Sequence, residues 1–374
     1  MNLRTLSLFT ICTLAVAAVA EPSGDRPDDL HAWSVHDVNR PDPVKVEVGK
    51  GGIPSDAVIL FDGTAESIAK NWRSAQGGAS KWKVADGTFI CVPGSGGAYT
   101  KADFGDVQLH LEFMTPVGDT QGWGNSGVIF MGGYEIQILD SSAVVPSRSP
   151  FKPANYADGQ CGAVYGQNPP IVQPCRKPGE WQTYDIVFHP PRREGGRLVD
   201  PGSATVFLNG VLVQDDFPFE GRTNWCRRYN GHADKSEGPL VLQDHGRPVP
   251  FRNIWLRRIP SRYADTVNGG LGVKRGDVAD LRARLAKESL AMAEKASAPD
   301  EKFIRLWEAF CYVPDRAVAK RIDAATSELV AALKRNDPAL ANSEHRACLK
   351  RFVAMLVKGG FLPAGSEIQK QLGK

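Results

Sequence analysis

Between residues 57 and 260 the chain is cut into short runs of alternating apolar and other residues, most of them stopped by Gly, Asn or Asp. Examples are "AVILFDG", "KWKVADGTFICV", "DVQLHLEFMT", "NSGVIFMGG", "YEIQILDS", "WQTYDIVFHP", "ATVFLNGVLVQDD", "GPLVLQDHG" and "RNIWLRRI". A period of two sends successive side chains to opposite faces, so each run reads as a half-buried strand. Asp86-Gly87 has the chemistry of a hairpin turn. The 38 glycines and 26 prolines fit a body with many turns. Short strands in this number predict an all-β sandwich or jelly roll over 57–262. The stretches 141–178 and 217–238 are predicted to be long loops rimming one end.

After Pro260 the texture changes. "RGDVADLRARLAKESLAMAEKA", "DEKFIRLWEAFCYV", "DRAVAKRIDAATSELVAALKRN" and "SEHRACLKRFVAMLVKGG" carry strong helix formers at helical spacing. Asp315 and Ser343 stand at N-cap positions. Residues 263–374 are therefore expected to form a small C-terminal α-helical region, and they show no catalytic signature.

Residues 1–20, "MNLRTLSLFTICTLAVAAVA", have one Arg, an apolar run and a small-residue end. That pattern predicts a signal peptide cleaved before Glu21, and so a secreted or periplasmic protein. Residues 21–56 are polar and Pro-rich and are expected to be an extended leader. No later run is apolar enough to span a bilayer. The balance of 45 basic against 42 acidic residues gives no clustered basic face, so nucleic acid is not an expected partner. Six cysteines follow the signal, an even number that suggests disulfides in an exported chain. The expected pairs are Cys161 with Cys175, Cys311 with Cys348, and Cys91 with Cys226. None has the CxxC spacing of a zinc site.

Several strands pair an apolar face with carboxylates, amides or imidazoles. Gln108, His110 and Glu112 oppose Leu109, Leu111 and Phe113. Glu135 and Gln137 oppose Ile136 and Ile138, with Asp140 three positions on. Gln243 and His245 oppose Leu240 and Leu242, and Asn125 precedes Gly127, which leaves room behind it. Plain solvent-facing strands carry Lys, Thr and Ser, whereas this composition suits a wet ligand groove. Trp123 and Trp225 lie in loops and are candidates to line such a groove.

"YEIQILD" also follows the spacing Glu-x-Asp-x-x-Glu of laminarinase-like hydrolases, with Glu135, Gln137 and Asp140 at the three positions. A retaining glycosidase needs two carboxyl groups about 5–5.5 Å apart. An amide in the middle and a shortened last acid depart from that set.

The ordered series "LFDG" (60–63), "WKVADGTF" (82–89), "YTKADFGDVQLHLEF" (99–113), "NSGVIF" (125–130), "YEIQILDS" (134–141), "GAVYG" (162–166), "GEWQTYDIVF" (179–188), "FLNG" (207–210), "LQDHG" (242–246) and "FRNIWLRRI" (251–259) resembles the 3-keto-disaccharide hydrolase domain family. The resemblance covers roughly 57–260 and implies a concanavalin A-like jelly roll of the lectin/glucanase type. It also implies an exported carbohydrate-active enzyme that cleaves the glycosidic bond of 3-keto glycosides. The C3 ketone acidifies the C2 hydrogen, a base removes it, and the C1 substituent leaves by β-elimination, with or without rehydration. Such a site needs a base near C2, a donor for the enolate oxygen and an acid for the leaving oxygen.

On that reading Glu135 or His245 is the base, imidazole being the side chain that exchanges protons near neutrality. Asp140 orients a partner or binds substrate. Asn125, Gln137, Arg252, Tyr165, Glu112 and Gln243 hold the sugar or the enolate oxygen. No cofactor is expected. The chain has no EF-hand loop or His cluster, and a structural calcium away from the groove, as related sandwiches hold, stays open. A separate sugar oxidoreductase upstream is implied, because the ketone must be made first. Two other readings compete. One is a non-catalytic, lectin-like carbohydrate-binding module. The other is an ordinary endo-glucanase, against which Gln137 argues.

Overall fold

The computed structural model describes residue 33 and residues 42–119, 123–142, 156–228, 230–261, 275–340 and 343–373. The expected signal peptide lies outside the described residues, as do residues 21–41 of the leader apart from Trp33. The chain divides into two compact units, Lys45–Ser261 on the one hand and Met1–Val44 with Arg262–Lys374 on the other. Residues 45–56 of the expected leader thus belong to the sandwich unit, to which the Arg257 guanidinium ties them by donating to Asp56 at 2.6 Å.

In chain order the first unit holds β1 (Val58–Phe61), α1 (Ala65–Asn71), β2 (Trp72–Arg73), β3 (Lys83–Ala85), β4 (Thr88–Ile90), β5 (Ala98–Phe104), β6 (Val107–Met114), β7 (Ser126–Phe130) and β8 (Tyr134–Ile138). It continues with β9 (Trp181–His189), β10 (Arg192–Glu194), β11 (Arg197–Asp200), β12 (Ser203–Leu208), β13 (Val211–Pro218), β14 (Gly238–Leu242) and β15 (Pro250–Arg258). One sheet of eight strands runs β13-β12-β9-β6-β15-β4-β3, with β1 also paired to β15. A second sheet of five runs β2-β5-β14-β7-β8, and β10 and β11 form a separate ribbon. The predicted jelly-roll sandwich is what forms, because the period-two runs each have one apolar face to bury.

The core lies between the two sheets. Leu109, Leu111, Phe113, Tyr184, Ile186 and Phe188 of the larger sheet meet Val128, Phe130, Ile136 and Ile138 of the smaller, all at 3 % exposure or less. The Phe130 and Phe188 rings stack at 4.4 Å between centroids. Truncating Phe188 to alanine opens a cavity at this contact, and the expected loss is about 3–5 kcal/mol of unfolding free energy. Urea denaturation followed by tryptophan fluorescence measures it, and a loss near zero would mean the sheets collapse over the gap.

The second unit holds α2 (Arg275–Lys295), α3 (Pro299–Tyr312), α4 (Arg316–Lys334), α5 (Ser343–Lys358) and α6 (Glu367–Leu372). Their apolar faces bury Phe303, Leu306, Ile322, Leu329, Phe352 and Leu356 in a core of their own. Asp315 caps α4 as its sequence position predicts, accepting from the Ala317 and Val318 amides at 2.7 and 3.0 Å. Among the described residues no helix is long and apolar enough to cross a membrane.

The expected disulfides are not formed. Cys91 is buried in the sandwich, where its thiol faces Asp244, whereas Cys226 is exposed in a loop. Cys348 accepts from Arg351 at 3.2 Å instead of bonding Cys311. Cys161 and Cys175 do meet, but as hydrogen-bonded thiols, and burial lifts the Cys161 thiol well above its ordinary range.

Candidate active site

Ile136 and Ile138 enter the core, yet Glu135 and Gln137 on the other face are also buried, at 7 % and 2 % exposure. The cover comes from two loops that also pair the free edge of β8. Gln137 donates its amide to Ala163 O and accepts from Gly162, both at 3.0 Å, and the Tyr165 amide donates to Glu135 O at 3.1 Å. The Glu135 amide donates to Thr223 Oγ1 at 3.1 Å. An edge strand left open would invite mispairing. Here the edge is used to seat Tyr165 and the segment after Thr223 above the carboxylate.

Beneath Glu135 lies Gly127 of β7, which is in register with Gln137. A Cβ at Gly127 would stand 2.2 Å from Glu135 Oε1, so the absent side chain is what makes room for the carboxylate. The Gln137 amide, oriented by its two acceptors, donates to Glu135 Oε1 at 3.2 Å and to Ser126 O at 3.1 Å. β14 ends beside this pair. The Gln243 amide donates to Gly127 O at 2.9 Å, and Ser126 Oγ donates to Gln243 O at 2.8 Å. His245 follows in a turn held by Asp244, whose carboxylate accepts from the Gly96 and Gly246 amides at 2.9 and 2.8 Å. Burial alone would raise the Asp244 carboxyl, but those amides outweigh it and hold it below the usual carboxylate value. Asn125 is presented by a loop in which Asp119 accepts from the Gly124 amide at 2.9 Å and pairs with Arg247 at 3.1 Å.

These residues converge. Asn125, Glu135, Gln137, Tyr165, Asn224, Trp225, Gln243 and His245 line one cavity of about 260 Å³. Burial pushes the Glu135 carboxyl up to about 7. It is thus a group that exchanges a proton at neutral pH while remaining shielded from water. Burial likewise raises the Tyr165 phenol, with the Tyr156 hydroxyl 3.1 Å away, so Tyr165 is a neutral donor. The Gln243 side-chain oxygen is buried, with no hydrogen-bond partner among the described residues. A buried amide oxygen is costly to leave unpaired, which suits an acceptor reserved for a ligand hydroxyl.

Three residues expected at the site lie elsewhere. Glu112 and Arg252 sit on β6 and β15 of the larger sheet, where Arg252 Nε donates to Glu112 Oε2 at 2.7 Å and the guanidinium stacks over Trp181 at 3.9 Å. Their face is turned away from the core on the opposite side of the sandwich from Glu135. Alternation shows that a residue points away from the core, but not from which sheet. Asp140 accepts from the amide and hydroxyl of Ser142 at 3.1 and 2.7 Å and so caps a turn rather than lining the cavity. Of the two loop tryptophans, Trp225 reaches the cavity and Trp123 does not line it. Asn224 was not anticipated, since nothing in "RTNWCRR" marks it before the loop is placed. Among the described residues no cluster of His, Cys, Asp or Glu has an arrangement that could hold a metal ion.

A jelly roll with an acid, amides, an imidazole and an aromatic ring around one sugar-sized hollow is a carbohydrate-active architecture. The family comparison agrees. The profile of the 3-keto-alpha-glucoside-1,2-lyase-like domain matches residues 56–257, more than half of the chain, and the protein belongs to that family. A protein from Parabacteroides distasonis ATCC 8503 assigned as a glycosyl hydrolase superimposes with a TM-score of 0.52 at 37% identity, over 60% of this chain and 95% of its own. A second such protein from the same organism gives a TM-score of 0.42 at 22% identity, over 55% and 94%. The alginate lyase Aly36B, as a mutant bound to alginate trisaccharide, gives 0.31 at 14%, over 52% and 90%. No curated protein sequence matches the chain.

Proposed function

We propose that this cavity cleaves 3-keto glycosides by elimination, with Glu135 as the base. The observation that carries the reading is one buried carboxyl, raised to about 7 and next to an amide instead of a second acid. A double displacement needs two carboxyl groups facing each other. A proton abstraction beside a ketone needs one base whose proton affinity is near the working pH.

The steps balance as follows. Glu135 takes the C2 proton, and the C2–H electron pair becomes the C2=C3 bond of an enolate. The Asn125 amide and the Tyr165 hydroxyl, both lining the cavity, donate to the enolate oxygen. The enolate then re-forms the C3 carbonyl, a C1=C2 bond forms, and the C1–O bond breaks. The leaving oxygen takes a proton from His245 at the rim. Water added across C1=C2 gives the free 3-keto sugar. The unpaired Gln243 oxygen accepts from a sugar hydroxyl and fixes the ring. On this reading the ketone comes from a separate oxidoreductase, and the signal-like pattern of residues 1–20 supports an activity outside the cytoplasm.

The test uses a 3-keto glucoside and, separately, its unoxidised parent, in deuterated water. Release of the leaving group from the keto compound only, with deuterium at C2 of the recovered sugar, is the expected result. Release from the parent would make the protein an ordinary glycosidase. Saturable glycan binding without release from either would make it a lectin-like module. The acid limb of the pH profile follows from the same carboxyl: kcat/KM is expected to rise with pH through an inflection near 7, and to fall again at the pH where the proton donor to the leaving oxygen is lost. A profile flat from pH 5 to 8 would remove Glu135 as the base.

A further inference from the structure

A second cavity of about 390 Å³ adjoins the first, and the two share Tyr165, Asn224 and Trp225 as a common wall. Its character is different. Where the first is lined by Glu, Gln, Asn and His, the second is built from Tyr156, Tyr165 and Trp225 with Arg227 and Arg228. Tyr156 stands edge-on to both other rings, at 6.4 Å from Tyr165 and 6.0 Å from Trp225 between centroids. Among the described residues Asp158 is the cavity's one carboxylate against two guanidiniums, so their balance is positive. A neutral second sugar ring could stack on these aromatics but would offer the two guanidiniums no anion. Three aromatic rings with two guanidiniums instead suit a flat, electron-rich, negatively charged group.

We infer that this cavity is the leaving-group subsite of the proposed lyase and that it accepts an aryl group bearing an anionic substituent. The inference rests on the proposed elimination, because the group on C1 must leave across the wall that the two cavities share. The aryl ring packs against Trp225 and Tyr156, which already meet edge-on, and Arg227 and Arg228 take the anion by charge-assisted hydrogen bonds. Tyr165 belongs to both cavities and so stands beside the glycosidic oxygen.

The experiment compares the 3-keto glucosides of phenol and of 4-hydroxybenzoate as substrates of the full chain, and of its R227A/R228A double variant. The expected result is a KM about tenfold lower for the carboxylated compound, a preference that collapses in the double variant and reverses in R227E/R228E. Circular dichroism checks that the variants fold. Equal KM for the two compounds in the unaltered protein, or a preference untouched by the substitutions, overturns the subsite. Calorimetry with free 4-hydroxybenzoate separates this outcome from failure of the lyase reading. Binding by the unaltered protein that is lost in R227A/R228A, with no cleavage of either glucoside, keeps an aryl-acid site and rejects the elimination. Absence of binding together with absence of preference rejects the subsite while leaving cleavage, if present, unaffected.

Discussion

Glu135→Gln abolishes proton abstraction: kcat on a 3-keto glucoside is expected to fall by roughly 10²–10⁴, while substrate binding survives. The substitution keeps size and a hydrogen-bonding partner for Gln137, so the loss reports chemistry and not packing. The same change has a signature in stability. The folded carboxyl is raised from 4.5 to about 7, so burial favours the neutral form. Its contribution is fully present below the unfolded value and is lost as pH rises through the folded value. Above pH 7 the native protein bears a buried charge met by the neutral Gln137 amide, a cost on the order of 3 kcal/mol by the usual conversion of pKa shifts. Glu135→Gln removes that cost. The variant is therefore expected to melt higher than the native protein at pH 8, and no higher at pH 4. Thermal melts at the two pH values check it, and a variant that melts lower at both would mean the carboxylate is stabilised rather than strained.

Gly127→Ala is expected to lower kcat by about 10²-fold, which is the scale of losing a general base. The added methyl would meet Glu135 Oε1 at 2.2 Å, and Glu135 Cδ and Cγ at 2.9 and 3.0 Å. All three atoms belong to the side chain, so the carboxylate moves while the backbone of β7 and β8 can stay. Overpacking of this kind costs about 1–3 kcal/mol. The displaced carboxylate also gains access to water, so the inflection in the pH profile shifts down toward the ordinary carboxylate value. Loss of rate with that shift assigns Gly127 the role of seating Glu135. Unchanged rate and profile would mean the carboxylate acts from another position.

Much of this was legible in the sequence because it depends on neighbours along the chain. Alternation in "VQLHLEFM" and "WQTYDIVFH" sorts every side chain into core or outer face, and β6 and β9 follow it residue by residue. The cap at Asp315 and the helical texture after Pro260 are local in the same sense. The candidates Glu135, Gln137, Asn125, Gln243 and His245 were found because acids, amides and imidazole are unusual on strands, Tyr165 came from the family resemblance, and the structure gathers all six around one cavity. The cysteines show the limit of counting. An even number allowed three pairs, but pairing depends on where each thiol is packed, and Cys91 faces Asp244 in the sandwich rather than Cys226.

The sequence by itself determined the period, and with it the sandwich, the helical unit and the chemical types available on the outer faces. Only the tertiary structure decided which outer face each residue joined. Glu112 and Glu135 have the same local pattern, but one strand lies in the eight-stranded sheet and the other at the edge of the five-stranded sheet. The tertiary structure also brought Asn224 and Trp225 over that edge and left Glu135 dry beneath them. Burial depends on loops distant in sequence, and it is burial that lifts the carboxyl into the range where it can act as a base at neutral pH.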